Sequence, residues 1–141
     1  MTLLKEITEN SLIKREFIIS YKGIIKYVTQ IQVTNWPDHS IPEDLESIRN
    51  VINYIMNKSH YPIVVHCSAG LGRTGTFIAI YNIIRTIQIL MNSGRKPCFS
   101  VFNTVRKLRE QRMGMVTSID QYKFIYDYCV NYLCQINSNI V

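Results

Sequence analysis

The sequence predicts an α/β fold: a few strands, then helices stacked around a segment that delivers one cysteine. Three observations carry this. Residues 17–20 and 24–33 are rich in β-branched and aromatic side chains and flank a turn, Tyr21-Lys22-Gly23, as a hairpin does. From residue 40 onward apolar residues recur at helical spacing, punctuated by capping residues. Within this second region an apolar run, Tyr61 to His66, leads directly into a glycine-rich turn and a helix-like segment.

Each element follows in order. After the hairpin comes Asn35-Trp36-Pro37-Asp38-His39-Ser40-Ile41-Pro42, a loop held by two prolines. Ser40 and Glu43 have capping-box spacing with Pro42 in the first turn, so a helix is expected to start there, with Leu45, Ile48, Val51, Ile52, Ile55 and Met56 at helical spacing. Tyr61 to His66 reads as a short buried strand. A helix from about Thr74 to Asn92 stops near Gly94. Ser100 caps a further helix through Arg112, ended by Gly114. Ser118 and Gln121 repeat the capping-box pattern, and the last helix carries Ile119, Tyr122, Ile125, Tyr126, Cys129 and Leu133 on one face. No repeat, linker or low-complexity tract interrupts this, so residues 1–141 read as one domain, long enough to bury a core.

Composition narrows the function classes. No basic, apolar and small-residue leader begins the chain, so no signal peptide is expected. The run from Phe77 to Met91 contains Asn82, Arg85 and Gln88 and reads as too short and too polar for a membrane span, so no membrane partner is expected. Cys67, Cys98, Cys129 and Cys134 match neither zinc spacing nor an exported disulfide framework, which points to a reducing, cytoplasmic setting. The sequon Asn57-Lys58-Ser59 is then read as chance. The net charge is +6, and its placement is informative. No Asp or Glu lies between Ser47 and Arg109, whereas Arg49, Lys58, Arg73, Arg85, Arg95, Lys96, Arg106 and Lys107 do. A positive field around Cys67 favours an anionic ligand and a thiolate. Nucleic acid is not the expected ligand, because no stacking motif or groove-reading module appears.

The chemistry concentrates in His66-Cys67-Ser68-Ala69-Gly70-Leu71-Gly72-Arg73-Thr74-Gly75. A helix N-terminus, a nearby guanidinium and loop amides each lower a thiol pKa, and all are available to Cys67. The amides of Ser68 to Arg73 can point inward as an anion-binding nest, with Gly70 and Gly72 supplying the unusual backbone angles. Arg73 offers two parallel donors to two phosphate oxygens. The same run also matches a dinucleotide-binding pattern, Gly70-x-Gly72-x-x-Gly75, but that fold needs an acid about twenty residues on, and the acid-free window rules it out. Cleaving a phosphate ester also needs an acid for the leaving oxygen, and Asp38, in the Pro-flanked loop beside Trp36, is the best candidate. The Thr74 hydroxyl can reach the thiolate. His66 is expected to order the loop, and Tyr122, Tyr126, Tyr128 and Tyr132 to pack the last helix.

These residues resemble the catalytic region of the phosphotyrosine-specific protein tyrosine phosphatases. Three blocks carry the resemblance, in the family's order: Trp36-Pro37-Asp38-His39, His66 to Gly75, and Leu108-Arg109-Glu110-Gln111-Arg112-Met113-Gly114-Met115-Val116 leading to Gln121-Tyr122. It runs from about Arg15 to Cys134. It implies a phosphatase-like α/β domain with a truncated central sheet flanked by helices, acting on phosphotyrosine-containing proteins in signal transduction. Cys67 would be the nucleophile that forms a phosphocysteine, Arg73 the phosphate ligand, and Asp38 the general acid and then base. Thr74 would assist departure of the sulfur. The loop Ser68, Ala69, Gly70, Leu71 and Gly72 would bind phosphate through its amides, with no metal or cofactor. Arg109 and Arg112 would brace that loop, and Gln121 would lie at the mouth of the site.

The resemblance also implies two departures. The family's domain is longer, and its N-terminal half, which supplies a tyrosine for the substrate ring and an acid for the arginine, is expected to lie outside this chain. The family also carries a glutamine where this chain has Thr117; that glutamine positions the water that hydrolyses the phosphocysteine. The alternatives kept beside the enzyme are therefore a weak or inactive phosphotyrosine-binding fragment and a dual-specificity phosphatase with a shallow pocket.

Overall fold

The computed structural model describes residues 1–58 and 62–138. They form three strands and four helices in the order β1 (Thr2–Glu9), β2 (Leu12–Tyr21), β3 (Ile24–Val33), α1 (Leu45–Asn57), α2 (Gly72–Asn92), α3 (Val101–Gln111) and α4 (Ile119–Ser138). The chain divides into two compact units, Met1–Pro37 with Pro42–Ser59, and Asp38–Ile41 with His60–Val141.

The first unit is an antiparallel sheet in the order β1-β2-β3, with α1 packed on β3. Tyr21 pairs with Ile24 across a two-residue turn in which Lys22 and Gly23 both take positive φ, 48° and 77°. Such a turn matches the twist of the strands it joins. Register is reinforced by a polar row across the three strands. Glu6 sits opposite Arg15, and Arg15 opposite Gln30. The guanidinium donates to Glu6 at 2.5 Å and to Gln30 at 3.1 Å. β1 was not foreseen from sequence; Thr2–Glu9 is almost wholly exposed and carries little of the apolar patterning that marks a strand. α1 begins at Asp44, whose carboxylate accepts from the Ser47 amide at 2.7 Å, rather than at the expected Ser40 cap. The Asn35 amide also donates to Asp44, so that carboxylate closes the base of the proline loop. These hydrogen bonds hold its pKa below the usual carboxylate value against a smaller effect of burial. α1 buries Ile48, Val51 and Ile52, as its spacing predicts.

The second unit packs α2 against α3 and α4. Ile80, Ile83, Ile84 and Ile87 of α2, Val101 of α3, and Ile125 and Cys129 of α4 are at most 2% exposed. Full burial of one aliphatic side chain contributes about 1.5–3 kcal/mol. α2 is long and apolar enough to cross a membrane by length and composition, more so than the run read from sequence; half of that stretch is buried within the fold. It ends where Gly94 takes φ 72°. Ser100 caps α3 by accepting from the Asn103 amide at 3.2 Å.

Two sequence expectations are corrected here. Residues 62–66 form no strand, and Ile63 and Val64 are 47% and 86% exposed. A buried strand needs neighbours, and among the described residues β1–β3 pair only with one another. Among the described residues, Cys67 thus follows a segment that pairs with no strand. Tyr61 and Ser59 lie outside the described residues. On α4 the buried face is Gln121, Phe124, Ile125, Tyr128 and Cys129; Ile119 and Tyr126, expected inside, are 74% and 43% exposed.

Candidate active site

Of the predicted site residues, all but Trp36 fall within the second unit. The turn of residues 67–71 curls over the start of α2, which has no side-chain N-cap. Cys67 Sγ takes that place. It accepts from the Gly70 amide at 3.2 Å and from the Thr74 hydroxyl at 3.2 Å. Partial burial works against the thiolate, but the Thr74 hydroxyl and the amides of Thr74, Gly70 and Leu71 outweigh it and bring the thiol from 9.0 down to about 7. Cys129 shows the opposite case: burial alone pushes its thiol up to about 12. Among the described residues no group of three or more His, Cys, Asp or Glu is arranged to hold a metal ion.

Arg73, in the first turn of α2, meets Asp38 with Nη2 3.0 Å from Oδ1. The predicted acid and the predicted phosphate ligand are therefore brought together. Arg112 donates to the Ala69 carbonyl at 3.1 Å and so braces the 67–71 turn directly. Gly70 takes φ 69°, a backbone conformation that favours glycine, and a Cβ there would meet the end of the Arg112 guanidinium at 2.9 Å. Arg109 acts one step removed. It donates to the carbonyls of Met115 and Val116 at 2.9 and 2.8 Å. The Val116 amide in turn donates to the Leu71 carbonyl at 3.2 Å, and the Gly75 amide reaches the same oxygen at 2.9 Å. Leu71 is thus a backbone junction that sequence reasoning missed, as is Val116, a buried β-branched residue at φ 64°.

His66 is exposed, with Nδ1–H donating to the Cys67 carbonyl at 3.3 Å. Ser68 and Ala69 are exposed in the loop, and Gly72 opens α2. Trp36 is 7% exposed and belongs to the first unit. Gln121, expected at the mouth, is instead 1% exposed and bonded inward: Oε1 accepts from the Thr117 amide at 3.0 Å and the Thr117 hydroxyl at 3.1 Å, and Nε2 donates to the Ser40 carbonyl at 3.3 Å.

A thiol drawn down to about 7 by an amide and a hydroxyl at a helix N-terminus has the chemistry of a nucleophile. The sequence profile described as Protein-tyrosine phosphatase matches residues 1–131 of this chain. The chain belongs to that family. The match begins ahead of the Arg15 at which the sequence blocks suggested a start, and so takes in β1. This phosphatase-family chain is 40% identical over 131 residues to Protein-tyrosine-phosphatase PTP1 of Arabidopsis thaliana, covering 89% of itself and 37% of that protein. It is 38% identical over 135 residues to Tyrosine-protein phosphatase non-receptor type 20 of Homo sapiens, covering 89% and 30%. Among solved structures, the Trypanosoma cruzi protein tyrosine phosphatase TcPTP1 superposes with TM-score 0.78 at 33% identity, over 91% of this chain and 44% of that one. The catalytic domain of human protein tyrosine phosphatase non-receptor type 18 gives TM-score 0.82 at 29% identity, over 94% and 48%. The chain thus spans about a third of these curated relatives and under half of these solved chains.

Proposed function

We propose that this chain carries the chemical centre of a protein tyrosine phosphatase that hydrolyses phosphotyrosine in proteins through a phosphocysteine. The observation that carries the reading is the Cys67 sulfur, held by the Gly70 amide and the Thr74 hydroxyl with its thiol at about 7. In the first step Sγ bonds to phosphorus, and the phenolic oxygen leaves with the proton of Asp38. Arg73 and the loop amides hold the phosphoryl oxygens as charge builds on them. In the second step water attacks phosphorus and gives its proton to the Asp38 carboxylate, while the Thr74 hydroxyl stabilises the departing thiolate. These residues need no metal for either step. A catalyst of this kind works in a reducing compartment, so a cytoplasmic setting in signalling is part of the proposal.

Thr117 bears on the second step. In the family it stands where a glutamine holds the hydrolytic water, and in this chain the neighbouring Gln121 has both ends of its carboxamide engaged. Breakdown of the phosphocysteine is therefore the slow step of the proposed cycle. A chain that captures phosphotyrosine with little turnover is the second reading, favoured by this substitution. Hydrolysis of an aryl phosphate without added metal decides between them. Turnover that is abolished by Cys67→Ser and reduced about 10²-fold or more by Asp38→Ala supports the enzyme. Phosphate release indifferent to both changes sinks the mechanism, and binding without release selects the capture module. Comparing phosphotyrosine with phosphothreonine peptides tests the shallow-pocket alternative.

A further inference from the structure

We propose that Gln121 is a positioning residue that latches the acid-bearing segment over the phosphate loop; this rests on the phosphatase reading and assigns Gln121 a partner other than substrate. The argument begins with burial. A carboxamide that is 1% exposed must satisfy its polar atoms within the protein. The Thr117 amide can only donate, so it fixes which end of the carboxamide faces it: Oε1 turns to Thr117, and the NH₂ group is left facing the Ser40 carbonyl. The Thr117 hydroxyl adds a second donor to the same oxygen.

Ser40 is two residues beyond Asp38, and His39 between them takes φ 57°, so the segment is a tight turn whose shape transmits a tether at one end to the other. Asp38 is thus fixed at two points, its carboxylate at Arg73 and the backbone at Gln121. A bound phosphoryl group competes with Asp38 for Arg73. Once that ion pair is given up, the Gln121 tether holds the turn in place and leaves the carboxyl group aimed at the leaving oxygen. The latch is also seated against the phosphate loop. A Cβ on Gly72 would lie 2.6 Å from the Thr117 hydroxyl and 3.0 Å from Gln121 Nε2, so the carboxamide fits there because residue 72 has no side chain.

Gln121→Glu keeps the shape but presents an acceptor to the Ser40 carbonyl; Gln121→Met keeps the volume without any hydrogen bond and serves if the buried carboxylate impairs folding. The first readout is leaving-group dependence. A nitrophenyl leaving group hardly needs an acid, whereas phenyl phosphate does. The latch predicts that the loss on phenyl phosphate exceeds the loss on nitrophenyl phosphate by about tenfold, and that the excess vanishes in an Asp38→Ala background. Equal losses on both substrates, or losses that add to Asp38→Ala, overturn it. The second readout needs no turnover. Trp36, the only tryptophan in the chain, is two residues from Asp38 and reports the segment by fluorescence. Orthovanadate should shift its emission in the native chain and shift it less in Gln121→Met. An identical shift in both, or none in the native chain, overturns the latch. If the native chain hydrolyses no aryl phosphate yet gives the expected difference in fluorescence, the functional reading fails and the latch stands.

Discussion

Replacing Thr74 with Val tests the ionised sulfur most directly. Thr74 is 5% exposed, and Val keeps its volume and branching while deleting only the hydroxyl that reaches Cys67 Sγ at 3.2 Å. A hydrogen bond to a charged group is worth about 1.5–3 kcal/mol, and the diffuse charge of sulfur argues for the lower figure. At about 1.4 kcal/mol per unit, the thiol should rise by about one unit, to roughly 8. The amides of Thr74, Gly70 and Leu71 are untouched, so it should stay below 9.0. At pH 7 the thiolate fraction then falls from about one half to about one tenth, and alkylation by iodoacetamide slows about fivefold, with the rate at high pH unchanged. The assay is the alkylation rate of the Cys67 peptide against pH, read by mass to separate it from exposed Cys98 and Cys134. A midpoint that stays at about 7 refutes the hydroxyl's role. Stability should follow the same group. Because the folded thiol is depressed, its contribution is complete above pH 9.0 and is lost as the pH falls through about 7; Thr74→Val should shrink that slope.

Three further outcomes are expected. Gly75→Ala places a Cβ 2.6 Å from the Val116 amide nitrogen, against backbone that cannot yield cheaply, and should cost about 1–3 kcal/mol in a urea unfolding curve; an unchanged midpoint would mean the turn relaxes. Arg109→Ala removes both donors that hold the Met115–Val116 carbonyls and should cost about 1 kcal/mol, with Arg109→Lys recovering less than half because ammonium lacks the paired geometry. Rapid mixing with an aryl phosphate should give a burst of phenol followed by slow turnover, as Thr117 implies; a single slow phase would place the slow step before the phosphocysteine.

The helices were readable because their ends are marked by local chemistry. Ser100, Gly94 and Gly114 act within one turn of themselves, so their meaning survives without tertiary context. The same holds for the Lys22-Gly23 turn and for the Cys67–Gly75 run, where residue types dictate backbone shape. What escaped depends on partners distant in sequence. The segment 62–66 looks like a strand in composition, but strand formation is decided by neighbours that composition does not reveal. Ser40 looks like a helix cap, yet its carbonyl is engaged by Gln121, 81 residues away, and Asp44 caps instead. Gln121 reads as a capping-box residue and, by resemblance, as the mouth of the site, whereas it lies on the buried face of α4.

Cys129 offers a built-in clock. With its side chain fully buried and its thiol pushed up to about 12, it can meet a disulfide reagent only when α4 lifts away from its neighbours. The rate at which that one thiol becomes reactive therefore times the opening of the helical unit, independently of the three cysteines that solvent already reaches.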